Sequence, residues 1–223
     1  MTVLVAGGTG TLGEAVVREL TGSGWSCSVT WIVEAERERL SSMPVELIEA
    51  DLLDAGAAGA AVGAVDDLEA VVNLVGGFGS GPKVHETDPD EFTRLLRLNL
   101  MPAFNLARAA MPVLVERDGG GAFVGVGAKA AVQPFPGAAG YITGKAALIA
   151  FIKALDAEYR KQGVRSNAIL PSVIDTPANR EAMPDADWSN WVQPADIAKV
   201  VRFLVSDESG PTSGALVPVY GRA

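Results

Sequence analysis

Tyr141 and Lys145 stand four residues apart in a stretch patterned as a helix, Ala138 to Tyr159, so their side chains project from one face. An ammonium held beside a phenol favours the phenolate and lowers a pKa that starts at about 10. A tyrosine so placed can give or take a proton near neutral pH, as reduction of a polar double bond requires. Many helices carry this spacing by chance, and its meaning depends on what stands with it.

A second constellation lies near the N-terminus, where Ala6-Gly7-Gly8-Thr9-Gly10-Thr11-Leu12-Gly13 runs from a β-branched segment straight into a helical one. Glycines there let backbone approach a ligand closely, and the helix start presents amides and a positive dipole end, which suits a pyrophosphate. Gly7, Thr9, Gly10, Thr11, Leu12 and Gly13 are therefore candidate dinucleotide-binding residues, with NADH or NADPH as the expected cofactor. Asp51 and Leu52 follow the third strand segment and could meet an adenine edge or simply cap a helix. Asn73-Leu74-Val75-Gly76-Gly77 ends the fourth and opens space beside the same crevice, which adds Asn73, Val75, Gly76 and Gly77 to the candidates. The acid that clamps an adenosine ribose belongs at the end of the second strand. Here Trp31 or Ile32 occupies that place and Glu34 comes slightly late, while Arg37 and Arg39 either reach a 2′-phosphate or stand as solvated helix charges. The preference between NADH and NADPH stays open.

The elements that must position these residues alternate. Strands read at 2–6, 27–33, 45–48, 70–75, 122–126, 165–170 and 215–219, and helices at 12–20, 55–65, 89–114, 138–159 and 195–205. This pattern predicts an α/β fold, one Rossmann-type doubly wound domain over residues 1–223, with a mainly parallel sheet of about seven strands and helices on both faces. Residues 176–192 are polar and proline-containing, too irregular for an element, and fall where open α/β sheets bind ligands; a lid is expected there. The helix carrying Tyr141 reads as having a solvated face at Asp156, Glu158 and Arg160. Gly56, Gly59 and Gly63 suggest close helix–sheet packing.

Composition narrows the partners. With 27 acidic against 18 basic residues, a net charge of -9 and no basic run, nucleic acid is a poor partner. One cysteine, Cys27, and one histidine, His85, leave no disulfide and no expected metal site. The longest charge-free run, Ala130 to Gly144, is cut by prolines and glycines, so no membrane span is expected. The opening Met1-Thr2-Val3-Leu4-Val5 lacks a basic signal region, which suggests a cytoplasmic protein acting on a small molecule.

Taken in order, the glycine-rich turn, Asn73 to Gly77, Asn99, Tyr141-x-x-x-Lys145 and Pro171-x-x-x-x-Thr176 resemble the short-chain dehydrogenase/reductase family across nearly the whole chain. The resemblance implies that Tyr141 is the proton donor, that Lys145 lowers its pKa and binds the nicotinamide ribose, and that Asn99 holds a water in a proton relay. It also implies that Pro171, the Ile174 backbone and Thr176 lie at the nicotinamide, and that the chain forms a homodimer or homotetramer through the helices at 89–114 and 138–159. Two departures stand out. The glycines follow the GxxGxxG spacing of the family's extended and atypical branches, with Thr11 at the main branch's middle glycine, and Ala128 stands where a substrate-polarising serine is usual.

Gly127-Ala128-Lys129-Ala130-Ala131, Val75-Gly76-Gly77-Phe78 and Asp175-Thr176-Pro177-x-Asn179-Arg180-x-x-Met183-Pro184-x-Ala186-Asp187 are similar to the dihydropteridine reductase subgroup, which also lacks the serine. That subgroup reduces quinonoid dihydropterin, a ring that regains conjugation on accepting hydride. Trp31 and Asn99 depart from its pattern. The expected acceptor is a flat conjugated ring flanked by Phe78, Ala128, Trp188 and Trp191. Reduction of another carbonyl or imine, with Thr143, Lys129 or water replacing the serine, is one alternative, and a non-enzymatic redox sensor is another.

Overall fold

The computed structural model describes residues 1–222. Seven short apolar runs form one all-parallel sheet: β1 (Thr2–Ala6), β2 (Ser26–Trp31), β3 (Val45–Glu49), β4 (Leu68–Asn73), β5 (Gly121–Val126), β6 (Val164–Pro171) and β7 (Leu216–Val219), in the order β3-β2-β1-β4-β5-β6-β7. Six α-helices connect or flank them: α1 (Thr11–Gly22), α2 (Ala55–Gly63), α3 (Pro89–Val115), α4 (Ala139–Tyr159), α5 (Pro177–Ala182) and α6 (Pro194–Val205). The central strands bury both faces, as parallel strands between helical layers must, while the edge strands β3 and β7 stay partly open. Val3, Val5, Val29 and Val72 face α1 and α6, whereas Leu4, Val71 and Phe123 face α2, α3 and α4. The order reverses between β1 and β4, and the crevice at the carboxyl ends of these strands is where such sheets bind ligands.

Local chemistry sets the helix starts. Asp54, Asp88 and Thr176 accept hydrogen bonds from the first turns of α2, α3 and α5, and Pro89 and Pro177 open α3 and α5 where a missing N–H costs nothing. α3 is long and apolar enough, by length and composition, to cross a membrane, a feature that counting charge-free runs passes over. Half of its most apolar stretch is buried against the rest of the fold.

Five expectations need correction. β2 stops at Trp31, leaving Ile32 and Val33 exposed, and β4 runs two residues earlier than its apolar pattern suggests because Leu74 and Val75 lie past the sheet edge. The segment at 176–192 is not structureless: it contains α5 and a 3-10 turn at Trp188–Asn190, and Val192 bridges to Ile174. Gly59 and Gly63 face open space, so close packing does not account for them; α2 buries Ala58, Ala61 and Val62 instead. Asp156 is buried rather than solvated, and it accepts from Arg160 and Ser213.

Candidate active site

The glycine turn is shaped by contacts a side chain would destroy. Gly7 takes a left-handed φ of +72°, and a Cβ there would meet Val75 Cγ2 at 3.0 Å. A Cβ on Gly13 would fall 2.4 Å from the backbone of Gly8, so α1 packs directly on the turn that precedes it. Thr30 Oγ accepts from the Gly7 amide at 3.1 Å, and Arg39 donates to the Thr9 carbonyl at 2.8 Å. Gly10 caps α1 without any side-chain hydrogen bond, and the amides of Thr11, Leu12 and Gly13 donate to nothing among the described residues. A helix N-terminus with uncapped amides and no obstructing β-carbons fits a dinucleotide pyrophosphate.

The floor of the crevice is similarly prepared. Asn73 is buried, accepts from the Val75 amide at 3.3 Å and keeps its Nδ2 without a partner. Beyond β6, the Ile174 amide also donates to nothing among the described residues, while its carbonyl is taken by Asn179 at 2.8 Å. Thr176 caps α5, and Pro171 is the buried last residue of β6. Asp51 and Leu52 take ordinary structural places: the Asp51 carboxylate accepts from the Leu53 amide, and Leu52 is core, with its carbonyl bound to Asn105.

Gly140 and Gly144 bring α4 onto α3. Their Cβ atoms would lie 3.2 Å from the Leu95 side chain and 2.9 Å from Asn99 Cβ, so the approach is tight at Gly140 and needs bare backbone at Gly144. It sets Lys145 beside Asn99, since a Cβ on Gly76 would touch Asn99 Oδ1 at 2.7 Å and Lys145 Nζ at 2.8 Å. The Asn99 side chain is committed to the backbone: Nδ2 donates to the Gly77 and Leu95 carbonyls, both at 2.9 Å, and Oδ1 accepts from the Gly77 amide at 3.2 Å. The Asn99 amide thereby clamps the loop after β4. The clamp places Phe78 edge-on to Tyr141, with ring centroids 5.1 Å apart.

Burial shapes the proton balance of the pair. Lys145 is buried and donates to the Val126 carbonyl at 2.7 Å, and the loss of water pushes its pKa down to about 8. Burial pushes the Tyr141 phenol up to about 12. Burial is the cause of the Tyr141 shift, and it favours the neutral phenol.

Ala128 is buried two residues past the end of β5, and its own side chain offers no hydroxyl there. Thr143 is exposed, about 200° round α4 from Tyr141. The Lys129 ammonium lies 5.1 Å over the Tyr220 ring. Of the aromatics expected beside an acceptor, only Phe78 meets Tyr141. Trp191 is buried, and Trp188 pairs with it at 6.3 Å.

Trp188 belongs to a network that spacing alone did not show. Asp175 accepts from Arg180 through both oxygens, at 2.5 and 2.7 Å, and from Gln193 at 2.7 Å, and these bonds hold its pKa down at about 2. Arg180 stacks 4.6 Å from the Trp188 ring, whose indole donates to the Met183 carbonyl at 3.0 Å. The motif from Asp175 to Trp188 therefore folds on itself. Its residue types were visible, but their mutual contacts have no periodicity to read.

A family model described as enoyl-(acyl carrier protein) reductase matches residues 7–221. A 4-formylbenzenesulfonate dehydrogenase of Comamonas testosteroni is 33% identical over 175 residues, 73% of this chain and 69% of that protein. A 7alpha-hydroxysteroid dehydrogenase of Clostridium sardiniense is 28% identical over 221 residues, 94% and 79% of the two chains. The solved structure of a 3-oxoacyl-[acyl-carrier protein] reductase from Brucella melitensis superposes with a TM-score of 0.85 at 30% identity, covering 99% of this chain and 90% of that one. With the glycine turn, the Tyr141 and Lys145 pair and the strand order all in place, the chain belongs to the short-chain dehydrogenase/reductase family.

Proposed function

We propose that this oxidoreductase is an NAD(P)H-dependent reductase of a flat, conjugated acceptor of the quinonoid dihydropterin type, with Tyr141 as proton donor. The observation that carries this reading is Ala128: the place of a polarising hydroxyl is apolar and buried, and neither Thr143 nor Lys129 is turned to fill it. Losing such a donor costs a simple carbonyl about 100- to 1000-fold in rate. An acceptor that gains conjugation on reduction needs less polarisation.

The nicotinamide, when bound, supplies the hydride. The chain's own residues do the rest. The free amides of Thr11, Leu12 and Gly13 would hold the pyrophosphate, and the Ile174 amide would hold the carboxamide. Tyr141, kept protonated by burial, gives its phenolic proton to the acceptor. Phe78, edge-on to Tyr141, would line the ring's approach. The same reading pairs two chains through α3 and α4, where Phe104 is 42% exposed beside Phe151.

Assays of the purified chain with quinonoid dihydropterin test the reading. Tyr141→Phe is expected to lower turnover by at least about 100-fold while dinucleotide binding stays nearly intact. Unchanged turnover in that variant overturns the role of Tyr141. A second reading, reduction of a simple carbonyl, is favoured by the relatives named above. Equal rates on a panel of ketones would establish it.

A further inference from the structure

Core packing does not hold α5 in place: none of its residues is buried, although it directly follows the segment that carries the free Ile174 amide. Polar bonds hold it instead, and they converge on residues 173–176. The Asp175 amide donates to the Val192 carbonyl at 2.8 Å, and the Val192 amide donates to the Val173 carbonyl at 3.0 Å. This parallel bridge turns both backbone polar groups of Ile174 to the opposite side. There Asn179 Nδ2 donates to the Ile174 carbonyl at 2.8 Å, while the Asn179 amide is fixed by Thr176 Oγ at 3.2 Å. Of the two Ile174 groups, only the N–H is left without a partner among the described residues.

The Asp175 carboxylate ties this segment to both neighbouring helices. Its side chain is 5% exposed, and its oxygens receive the Arg180 fork from within α5 and the Gln193 side-chain amide from the start of α6. A bidentate guanidinium–carboxylate pair fixes direction as well as distance. The Trp188 ring backs the guanidinium and pairs in turn with buried Trp191. Asp175 therefore does for α5 what apolar burial does for α1, α3 and α6. A donor aimed before its ligand arrives spends less binding energy on being ordered.

We propose that Asp175 is a positioning residue for the nicotinamide end of the dinucleotide: through Arg180 and Gln193 it fixes α5 and, with Asn179, the direction of the Ile174 amide. The inference rests on the dinucleotide reading above and adds the side chains that aim a backbone donor. Loss of this nearly buried carboxylate should disturb one half of a ligand and leave the core alone.

Calorimetric titration of the purified chain with NADH and NADPH, each beside the matching ADP-ribose that lacks the nicotinamide, tests it without turnover. The wild type is expected to bind the dinucleotide more tightly than its ADP-ribose. Asp175→Asn should weaken the dinucleotide about tenfold and leave the ADP-ribose within about twofold. Arg180→Gln and Asn179→Ala should give the same selective loss, and Arg180→Lys, which keeps the charge without the fork, a smaller one. Urea midpoints should stay near the wild-type value, because α5 buries nothing. Equal weakening of dinucleotide and ADP-ribose by Asp175→Asn overturns the proposal, as does a variant that binds both like the wild type. Should Asp175→Asn fail to fold, the Arg180→Gln titrations decide by the same comparison. ADP-ribose bound by the wild type as tightly as the dinucleotide also overturns it. Binding of neither compound overturns the dinucleotide reading itself, a result distinct from failure of Asp175.

Discussion

The two ends of the crevice are built from different materials. At the β1 end the site is backbone: a left-handed Gly7, a Gly13 with no room for a β-carbon, and helix amides left uncapped. At the β5 end it is side chains: Tyr141 against Phe78, Lys145 on the Val126 carbonyl, and Ala128 where a donor is usual. A backbone cradle tolerates almost no change, because its geometry is shared with the packing of α1. A side-chain site can change its substrate by one substitution and leave the sheet undisturbed.

Gly13→Ala is the sharpest way to break the contrast. The new Cβ would lie 2.4 Å from Gly8 backbone, which has no flexible end to move aside. A loss of about 3 kcal/mol or more in urea unfolding is expected, together with loss of dinucleotide binding. A variant as stable as the wild type would show that the cradle yields.

The acceptor end should reveal itself through pH. Burial lowers Lys145 to about 8 from 10.5, so between those values the folded chain binds fewer protons than the unfolded one. The penalty of burying this ammonium is fully present below about pH 8, and stability from this group rises with pH through the window. Tyr141 acts in the opposite sense, costing stability as pH climbs from 10 toward about 12. Urea midpoints measured on either side of pH 8 should show a rise that Lys145→Met removes. A midpoint with the same pH dependence in both proteins would contradict the desolvated lysine.

Gly59→Ala supplies the smallest effect and the control. Nothing lies within 4 Å of its missing Cβ, and α2 gains helix propensity, so a stabilisation of about 0.5–1 kcal/mol is expected. Destabilisation would mean that α2, too, depends on bare backbone.

The same contrast explains what could be read from the residues alone. The strands, helices and glycine turn are encoded locally, in alternation and spacing, and the observed sheet follows them with boundary shifts such as that of β4. The acceptor end depends on contacts between distant residues. Nothing in the spacing of Tyr141 and Lys145 shows that Lys145 turns to Val126, or how deeply burial acts on both groups. Asn99 was legible as a site residue but not as the clamp on Gly77, twenty-two positions away. Trp191 matched the pattern of a ring-flanking aromatic and is a buried anchor, a distinction made only by packing.

The central claim is that Ala128 selects the acceptor by withholding a donor, and Ala128→Ser tests it most directly. Specificity constants for quinonoid dihydropterin and for simple ketones should be measured side by side in both proteins. The wild type is expected to prefer the dihydropterin strongly, and the serine variant to gain about 100-fold or more on ketones with little change on the dihydropterin. A wild-type enzyme that reduces simple ketones as readily as the dihydropterin, with no gain on adding the serine, would contradict the account.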